Sequence, residues 1–247
     1  MKELEEILGL VSKKKMSALD AAKEIRLAHI SEIEGMAKLD TNRHLRTGFP
    51  EVILAEGKSL EQLERIAKRA CRGRVVLFSR LSGEHGRFLK RKFGGVYNAK
   101  ARTLLLGKPE KGRGTVGVIT AGTSDIPVAA EAEVMAEAMG CGVISSYDAG
   151  VAGIHRLFPA LKEMVGRVDA LVVVAGREGT LPAIVAGMVD IPVIGVPTSV
   201  GYGYGGKGEA ALKSMLQSCS FLSVVNIDNG IGAGAFAALI AKRGCRE

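Results

Sequence analysis

Thr115-Val116-Gly117-Val118-Ile119-Thr120-Ala121-Gly122-Thr123-Ser124-Asp125-Ile126-Pro127 decides how the fold is read, together with Ala170-Leu171-Val172-Val173-Val174-Ala175-Gly176 further along. Each is an unbroken apolar run that ends in glycine and small polar residues. A strand covered on both faces reads as a continuous apolar run rather than an alternating one. The same texture recurs, and the expected strands are 115–120, 142–146, 170–175, 192–196 and 222–226. Helices are expected between and after them at about 127–139, 152–165, 181–189, 208–218 and 231–242. Strict alternation of strand and helix predicts an α/β fold whose C-terminal part is a doubly wound parallel sheet of about five strands.

Upstream the pattern differs. Residues 2–8 and 17–38 read as helices; Ser17 is a good N-cap with Asp20 three residues on, and Leu19, Ala22, Ile25 and Ala28 recur at helical spacing. The polar stretch from Asp40 to Pro50 reads as a loop, Val52–Ala55 as a strand, and Ser59 as the cap of a helix through about Ala70. Val75–Ser79 and an apolar run within Val96–Leu106 complete a small α/β unit behind a helical arm. Lys108–Gly114, with Pro109, Gly112 and Gly114 amid charges, reads as a linker. The expected division is therefore 1–112, a basic helical arm plus small α/β domain, and 113–247, the catalytic domain.

Composition narrows the function classes. The formal net charge of +8 is uneven: residues 1–114 hold 25 Lys and Arg against 14 Asp and Glu, and the rest hold 9 against 12. A basic half beside an acidic half suggests two functional surfaces. The basic charges are interspersed with acids, unlike a nucleic-acid-binding tail, and the chain has no Trp and only 4% aromatics for base stacking. Cys71, Cys141, Cys219 and Cys245 form no CxxC pair, so no zinc or dithiol motif is visible. The start carries acids and no apolar signal core, and no apolar run approaches the roughly 18 residues of a membrane span. A cytoplasmic protein with free thiols, binding neither membrane nor nucleic acid, is the expectation.

In parallel sheets ligands bind at the carboxyl ends of the strands. The first such loop, Thr120 to Pro127, offers Gly122 for a tight turn and Thr123, Ser124 and Asp125 as cap oxygens; it reads equally as a capped helix or as a phosphate or ribose cradle. The second is Ser145-Ser146-Tyr147-Asp148-Ala149-Gly150. The third, Ala175-Gly176-Arg177-Glu178-Gly179-Thr180, puts two charges in a glycine-bounded turn, and Glu178 is a candidate general base. The fourth, from Pro197 through Thr198, Ser199 and Gly201 to Gly208, is glycine-rich with Tyr202, Tyr204 and Lys207, as a ligand lid would be. The fifth, Asn226-Ile227-Asp228-Asn229-Gly230, is a loose glycine turn without the GxGxxG pattern. Cys219 ends a predicted helix, where the negative dipole end disfavours a thiolate, so geometry alone ranks it low as a nucleophile.

Two resemblances attach to these loops. Gly122-Thr123-Ser124-Asp125, Leu181-Pro182 and Pro192-Val193-Ile194-Gly195-Val196-Pro197 resemble the phosphoribosylaminoimidazole carboxylases and mutases, whose catalytic domain is flavodoxin-like. Where that family carries Ser-Ala-His-Arg this chain has Ser145-Ser146-Tyr147-Asp148, and its Ala-Ala-His turn is Arg177-Glu178-Gly179, so both signature histidines are absent. A second resemblance spans nearly the whole chain. Arg46-Thr47-Gly48-Phe49-Pro50-Glu51-Val52-Ile53, Gly150-Val151-Ala152-Gly153-Ile154-His155-Arg156, Pro197–Gly203, Ser218-Cys219 and Val225-Asn226-Ile227-Asp228-Asn229-Gly230 are similar to the LarB family, the pyridinium-3,5-biscarboxylic acid mononucleotide synthases of nickel-pincer cofactor assembly.

That resemblance implies carboxylation of the pyridinium ring of nicotinic acid adenine dinucleotide, with CO2 or bicarbonate as co-substrate, and hydrolysis of the phosphoanhydride to release AMP. The family nucleophile matches Cys219 and a key carboxylate matches Glu178. A pyridinium is too electron-poor to attack CO2, but thiolate addition para to nitrogen makes a dihydropyridine whose free meta carbon is nucleophilic. Gly122, Thr123, Ser124, Asp125, Tyr147, Asp148, Thr198, Ser199, Gly201, Asp228 and Asn229 are the implied substrate contacts, with Arg43 and Arg46 offering forks for carboxylate or phosphate. Mg2+ is the implied cofactor, with Asp125 its candidate ligand. The partner is the dinucleotide and, as in the related carboxylases, a homo-oligomer up to an octamer. An imidazole-nucleotide carboxylase or mutase, a non-catalytic nucleotide binder and a nucleic-acid binder are the competing readings.

Overall fold

The computed structural model describes residues 4–27, 30–33, 37–40, 43, 47–70, 74–112 and 114–244; Arg46, Cys71 and Cys245 lie outside them. The chain enters through helices α1 (Leu4–Ser12) and α2 (Ala18–Leu27). Ser17 caps α2 as expected, its Oγ accepting the Asp20 N–H at 3.0 Å. The single helix expected over 17–38 is corrected: α2 stops at Leu27, and β1 (Ile30–Ile33) and β2 (Ala37–Asp40) pair antiparallel, Ile30 opposite Asp40. Ile30 and Ile33 are β-branched and Gly35 interrupts the run, all of which weaken a helix against a strand.

Next comes the small α/β unit. Strands β3 (Glu51–Leu54), β4 (Val76–Ser79), β5 (Val96–Asn98) and β6 (Thr103–Leu106) form a four-stranded mixed sheet in the order β3-β4-β6-β5. The apolar run within 96–106 is therefore a hairpin rather than one strand. Asn98 Oδ1 folds the corner by accepting the N–H groups of Lys100 and Ala101, both at 3.0 Å. Helix α3 (Leu60–Ala70) starts on a capping box, Ser59 and Gln62 each accepting the other's backbone N–H. Helix α4 (Gly83–Phe93), unforeseen from the sequence, is capped by Ser82. Gly86 and Leu89 are buried and Phe88 and Phe93 pack against the core, while Gly83 and Gly86 lower the helix propensity of the segment. Leu63, Ile66, Phe78, Leu89 and Leu104 form the core between these helices and the sheet.

The C-terminal part is the expected parallel sheet. Strands β7 (Thr115–Thr120), β8 (Gly142–Ser146), β9 (Ala170–Ala175), β10 (Val193–Pro197) and β11 (Ser223–Val224) are all parallel, in the order β11-β10-β9-β7-β8. Counted within this sheet the order is 2-1-3-4-5, the flavodoxin-like arrangement, with the chain reversing its winding between β7 and β9. Helices α5 (Ile126–Ala138) and α9 (Gly230–Gly244) cover one face and α6 (Leu157–Met164), α7 (Leu181–Ala186) and α8 (Glu209–Leu216) the other. Along β9, Val172 and Val174 enter the first core and Leu171 and Val173 the second, each burial contributing about 1.5–3 kcal/mol. The helix expected at 152–165 is split: a 3-10 segment, Val151–Arg156, precedes α6 because Gly153 leaves helical geometry.

Helix α5 joins the two parts. Its buried residues surround it, and the core it belongs to includes Leu77, Ala101 and Leu105 of the small sheet. Its apolar positions are spread around the helix rather than gathered on one stripe, with Glu131, Glu133 and Glu137 set among them, which is why 126–138 shows no clear amphipathic pattern. Among the described residues no helix is long and apolar enough to cross a membrane.

Candidate active site at the carboxyl ends of the parallel strands

The loops that leave β7, β8, β9 and β10 surround a cleft of about 450 Å³ at the point where the winding reverses. Its walls include Gly122 and Ser124 after β7, Gly150 and Arg156 after β8, and Gly176 and Glu178 after β9. Two glycines let the walls close up. A Cβ on Gly176 would stand 2.3 Å from the Val200 carbonyl oxygen, and one on Gly150 would stand 2.5 Å from that of Ala121. The loops after β8, β9, β10 and β11 each carry one non-glycine residue at positive φ: Asp148 (59°), Arg177 (50°), Lys207 (58°) and Asp228 (56°). Left-handed backbone at such residues is costly and clusters where side chains must be aimed.

Asp125 ties the site together from beneath. It is 4% exposed. Its Oδ1 accepts from the Thr198 hydroxyl at 2.7 Å and its Oδ2 from the Gly122 N–H at 2.9 Å. Burial pushes its carboxyl above the usual range, while the bonds from Thr198 and from the Gly122 and Gly176 backbone pull it back. One side chain thus links the loops after β7, β9 and β10. The 3-10 turn Thr123–Asp125 leaves Thr123 and Ser124 exposed at the start of α5, with Pro127 in its first turn. That is the donor-rich helix end expected for a phosphate cradle.

This arrangement bears on Mg2+. Both Asp125 oxygens already accept hydrogen bonds, and among the described residues no three His, Cys, Asp or Glu side chains converge as metal ligands. The residues present do not fit Asp125 as a direct Mg2+ ligand.

Glu178 is exposed and lines both this cleft and an adjoining lobe of about 200 Å³ bordered by Gly201, Tyr202 and Tyr204. Arg177 beside it lies 4.9 Å from the Tyr202 ring centroid, a cation–π contact that pins the glycine-rich loop to the cleft edge. Asp148 is paired with Arg156, whose guanidinium lines the cleft. Arg156 was undervalued from the sequence because a charged residue after a predicted helix turn resembles any surface arginine; the preceding small residues Ala149–Gly153 were the available signal.

The other sequence-derived residues fall in three groups. Ser199 donates its N–H to Asp228 Oδ1 at 2.8 Å, and Asp228 donates its own N–H to the Pro197 carbonyl, so Asp228 buttresses the loop after β10. Asn229 caps α9 by accepting the Gly232 N–H at 2.9 Å, and Thr198 is buried behind Asp125. Tyr147 points away, donating to Glu133 Oε1 at 2.7 Å; burial and that bond push its phenol up to about 12, so it stays neutral. Arg43 lies outside the cleft walls; Gly48 packs near α9, where a Cβ would stand 3.1 Å from Leu239.

Cys219 is exposed and is not brought to Glu178 within one chain. It precedes β11, whose Ser223 pairs with Ile194 near the start of β10, and the adjacent Ser220 Oγ lies 3.5 Å from where a Cβ on Gly187, just past the end of α7, would stand. Glu178 follows the end of β9. The two therefore lie at opposite ends of the sheet, separated by roughly a five-residue strand, about 15 Å.

Fold and site define the class: a carboxylase-type enzyme built on the AIR carboxylase domain, to which residues 115–245 match. Residues 30–108 match the LarB/PurE-like N-terminal domain. The chain belongs to the LarB family. It is 45% identical over 253 aligned positions, covering 98% of each chain, to an uncharacterized protein of Methanocaldococcus jannaschii.

Proposed function

We propose that the cleft carboxylates the pyridinium ring of nicotinic acid adenine dinucleotide and that the enzyme then hydrolyses the phosphoanhydride, releasing AMP and pyridinium-3,5-biscarboxylic acid mononucleotide, the precursor of a nickel-pincer cofactor. The observation that carries this is the cleft's own chemistry: an AIR-carboxylase position lined by the Glu178 carboxylate and, among the described residues, by no histidine. A pyridinium already carries the positive charge that an imidazole acid would otherwise have to supply. What it needs is a nucleophile and a base.

The Cys219 thiolate bonds to the ring carbon para to nitrogen, and an electron pair moves to nitrogen. The enamine so formed attacks CO2 from its meta carbon. Glu178 takes the proton from that carbon, and the returning electrons expel the thiolate and restore the aromatic ring. The exposed Thr123–Ser124 helix end and Arg156 suit the dinucleotide's phosphates. Because Cys219 and Glu178 stand at opposite ends of one sheet, the thiol that serves a given cleft comes from a second copy of the chain, which gives homo-oligomerisation a chemical purpose.

The test is mass spectrometry of the pure protein with nicotinic acid adenine dinucleotide, Mg2+ and bicarbonate. A mononucleotide heavier by one CO2, with AMP released, supports the reading. Intact dinucleotide, with turnover of an aminoimidazole ribonucleotide instead, overturns it.

A further inference from the structure

Where the small sheet meets the parallel domain, a second cavity of about 170 Å³ opens beside helix α5. Arg80, Lys100 and Arg102 line it from the small-sheet side, with Glu56 at its rim, and Glu131 and Asp228 line it from the other. None of the first three was singled out in the sequence, because they come from two separate loops, after β4 and within the β5–β6 hairpin.

The backbone converges here in an unusual way. Arg80 (φ 54°), Arg102 (φ 52°) and Asp228 (φ 56°) are all left-handed, from three different loops, and all face one cavity. Such conformations persist where the surroundings over-determine them. Arg102 is held on both sides: its Nε–H donates to the Leu81 carbonyl at 2.9 Å, and its own carbonyl accepts the Leu81 N–H at 2.8 Å. That fixes the guanidinium stem while its outer edge lines the cavity. Arg80 reaches Glu56 at 3.5 Å, a pair with both side chains largely exposed.

The opposing carboxylates are each partly engaged by a backbone N–H. Asp228 Oδ1 accepts the Ser199 N–H. Glu131 accepts the Ile231 N–H at the start of α9, and burial pushes its carboxyl up to about 7. Glu56 and Asp228 offset two of the three cations, and Glu131, its carboxyl pushed up to about 7, offsets the third only as pH rises, so up to neutrality the concavity keeps an excess of positive charge that favours a further anion. The cavity is smaller than the 300–1,000 Å³ or so of a whole-ligand pocket, so it fits one group of a ligand. Two arginine forks and an ammonium match the oxygens of a phosphate better than a single carboxylate.

We propose that the cavity between the two sheets, walled by Arg80, Lys100 and Arg102, is a binding site for a phosphoryl group. It lies outside the cleft described above and does not depend on the carboxylation reading. Asp228 nevertheless buttresses the loop after β10, so the site touches the frame of the cleft. Two sources supply this chemistry: the phosphate of a dinucleotide reaching across from the cleft, or a separate phosphate-bearing ligand.

Equilibrium dialysis of the full chain with radiolabelled inorganic phosphate tests it. The expected result is saturable binding of one phosphate per chain, weakened about tenfold by Lys100→Ala and lost in Lys100→Ala/Arg102→Ala. Lys100 sits at an exposed hairpin corner, so its variant tests the idea even if the double variant fails to fold. Binding that is unsaturable, or unchanged in Lys100→Ala, overturns the proposal. The source follows from dinucleotide kinetics: KM raised about tenfold in Lys100→Ala at unchanged kcat assigns the phosphate to the substrate. Unchanged KM with phosphate binding weakened assigns it to a separate ligand.

Discussion

Glu131 holds its proton to about pH 7, against about 4.5 for an ordinary glutamate, because burial outweighs the pull of Arg80 and Arg102. Its folded pKa is raised, so the sign is set: below pH 4.5 both folded and unfolded states are protonated and the group costs nothing. Between 4.5 and 7 the unfolded chain releases the proton while the folded chain keeps it, and stability falls as pH rises. Glu131→Gln keeps an acceptor for the Ile231 N–H and removes this loss. Its melting temperature is expected to exceed the parent's at pH 8, by the equivalent of up to about 3 kcal/mol, with no gain near pH 4.5; equal shifts at both pH values would refute the assignment. For Glu178, the exposed carboxylate of the cleft, Glu178→Gln is expected to lower carboxylated product about 10²-fold or more while a cysteinyl adduct at Cys219 still forms. Intact-protein mass spectrometry reads the adduct, and full turnover in the variant would remove Glu178 from its role. Glu178 was legible in the sequence because two charges in a glycine-bounded turn after a buried strand are rare. The work of Asp125 was not: its neighbours Thr198 and Gly176 lie 73 and 51 positions away, and nothing local announces them.

At the scale of elements, α5 and α9 show how packing replaces propensity. A Cβ on Gly234 would fall 2.3 Å from the Ala132 carbonyl oxygen, and one on Gly230 would fall 2.1 Å from that of Val128. Two helices approach backbone to backbone because α9 presents glycine to the α5 backbone at Val128 and at Ala132. Gly234→Ala forces that contact apart, and a loss of about 1–3 kcal/mol is expected despite alanine's better helix propensity. Urea denaturation measures it, and a stabilised variant would contradict the close approach. The parallel strands were legible because burial on both faces makes each an apolar run; β11 is shorter than expected, Ser223–Val224, pairing β10 only at Ile194 and Gly195. Residues 30–40 misled because the helical spacing of α2 runs up to their edge, and the antiparallel pairing that claims them depends on residues up to ten positions apart.

For the molecule as a whole, the decisive distance is between Cys219 and Glu178. If each cleft takes its thiol from another copy, chains carrying Cys219→Ser and chains carrying Glu178→Gln are each inactive alone but recover part of the activity when unfolded together and reassembled. Turnover of the mixture at the sum of its two components would show that one chain supplies both groups. The sequence by itself determined the class of this protein: apolar runs set apart by helices dictate a doubly wound sheet, and the sheet dictates that chemistry lies in the loops after its strands. It also pointed to Glu178 and to the Gly122–Pro127 turn, because both signals lie within a few adjacent residues. Only the tertiary structure decided that Cys219 stands at the far end of the sheet, that Asp125 is a buried tie, and that Arg80, Lys100 and Arg102 meet across α5. Those facts depend on strand order and on which loops share an end of the sheet. Both are set by long-range packing, which local composition and spacing do not encode.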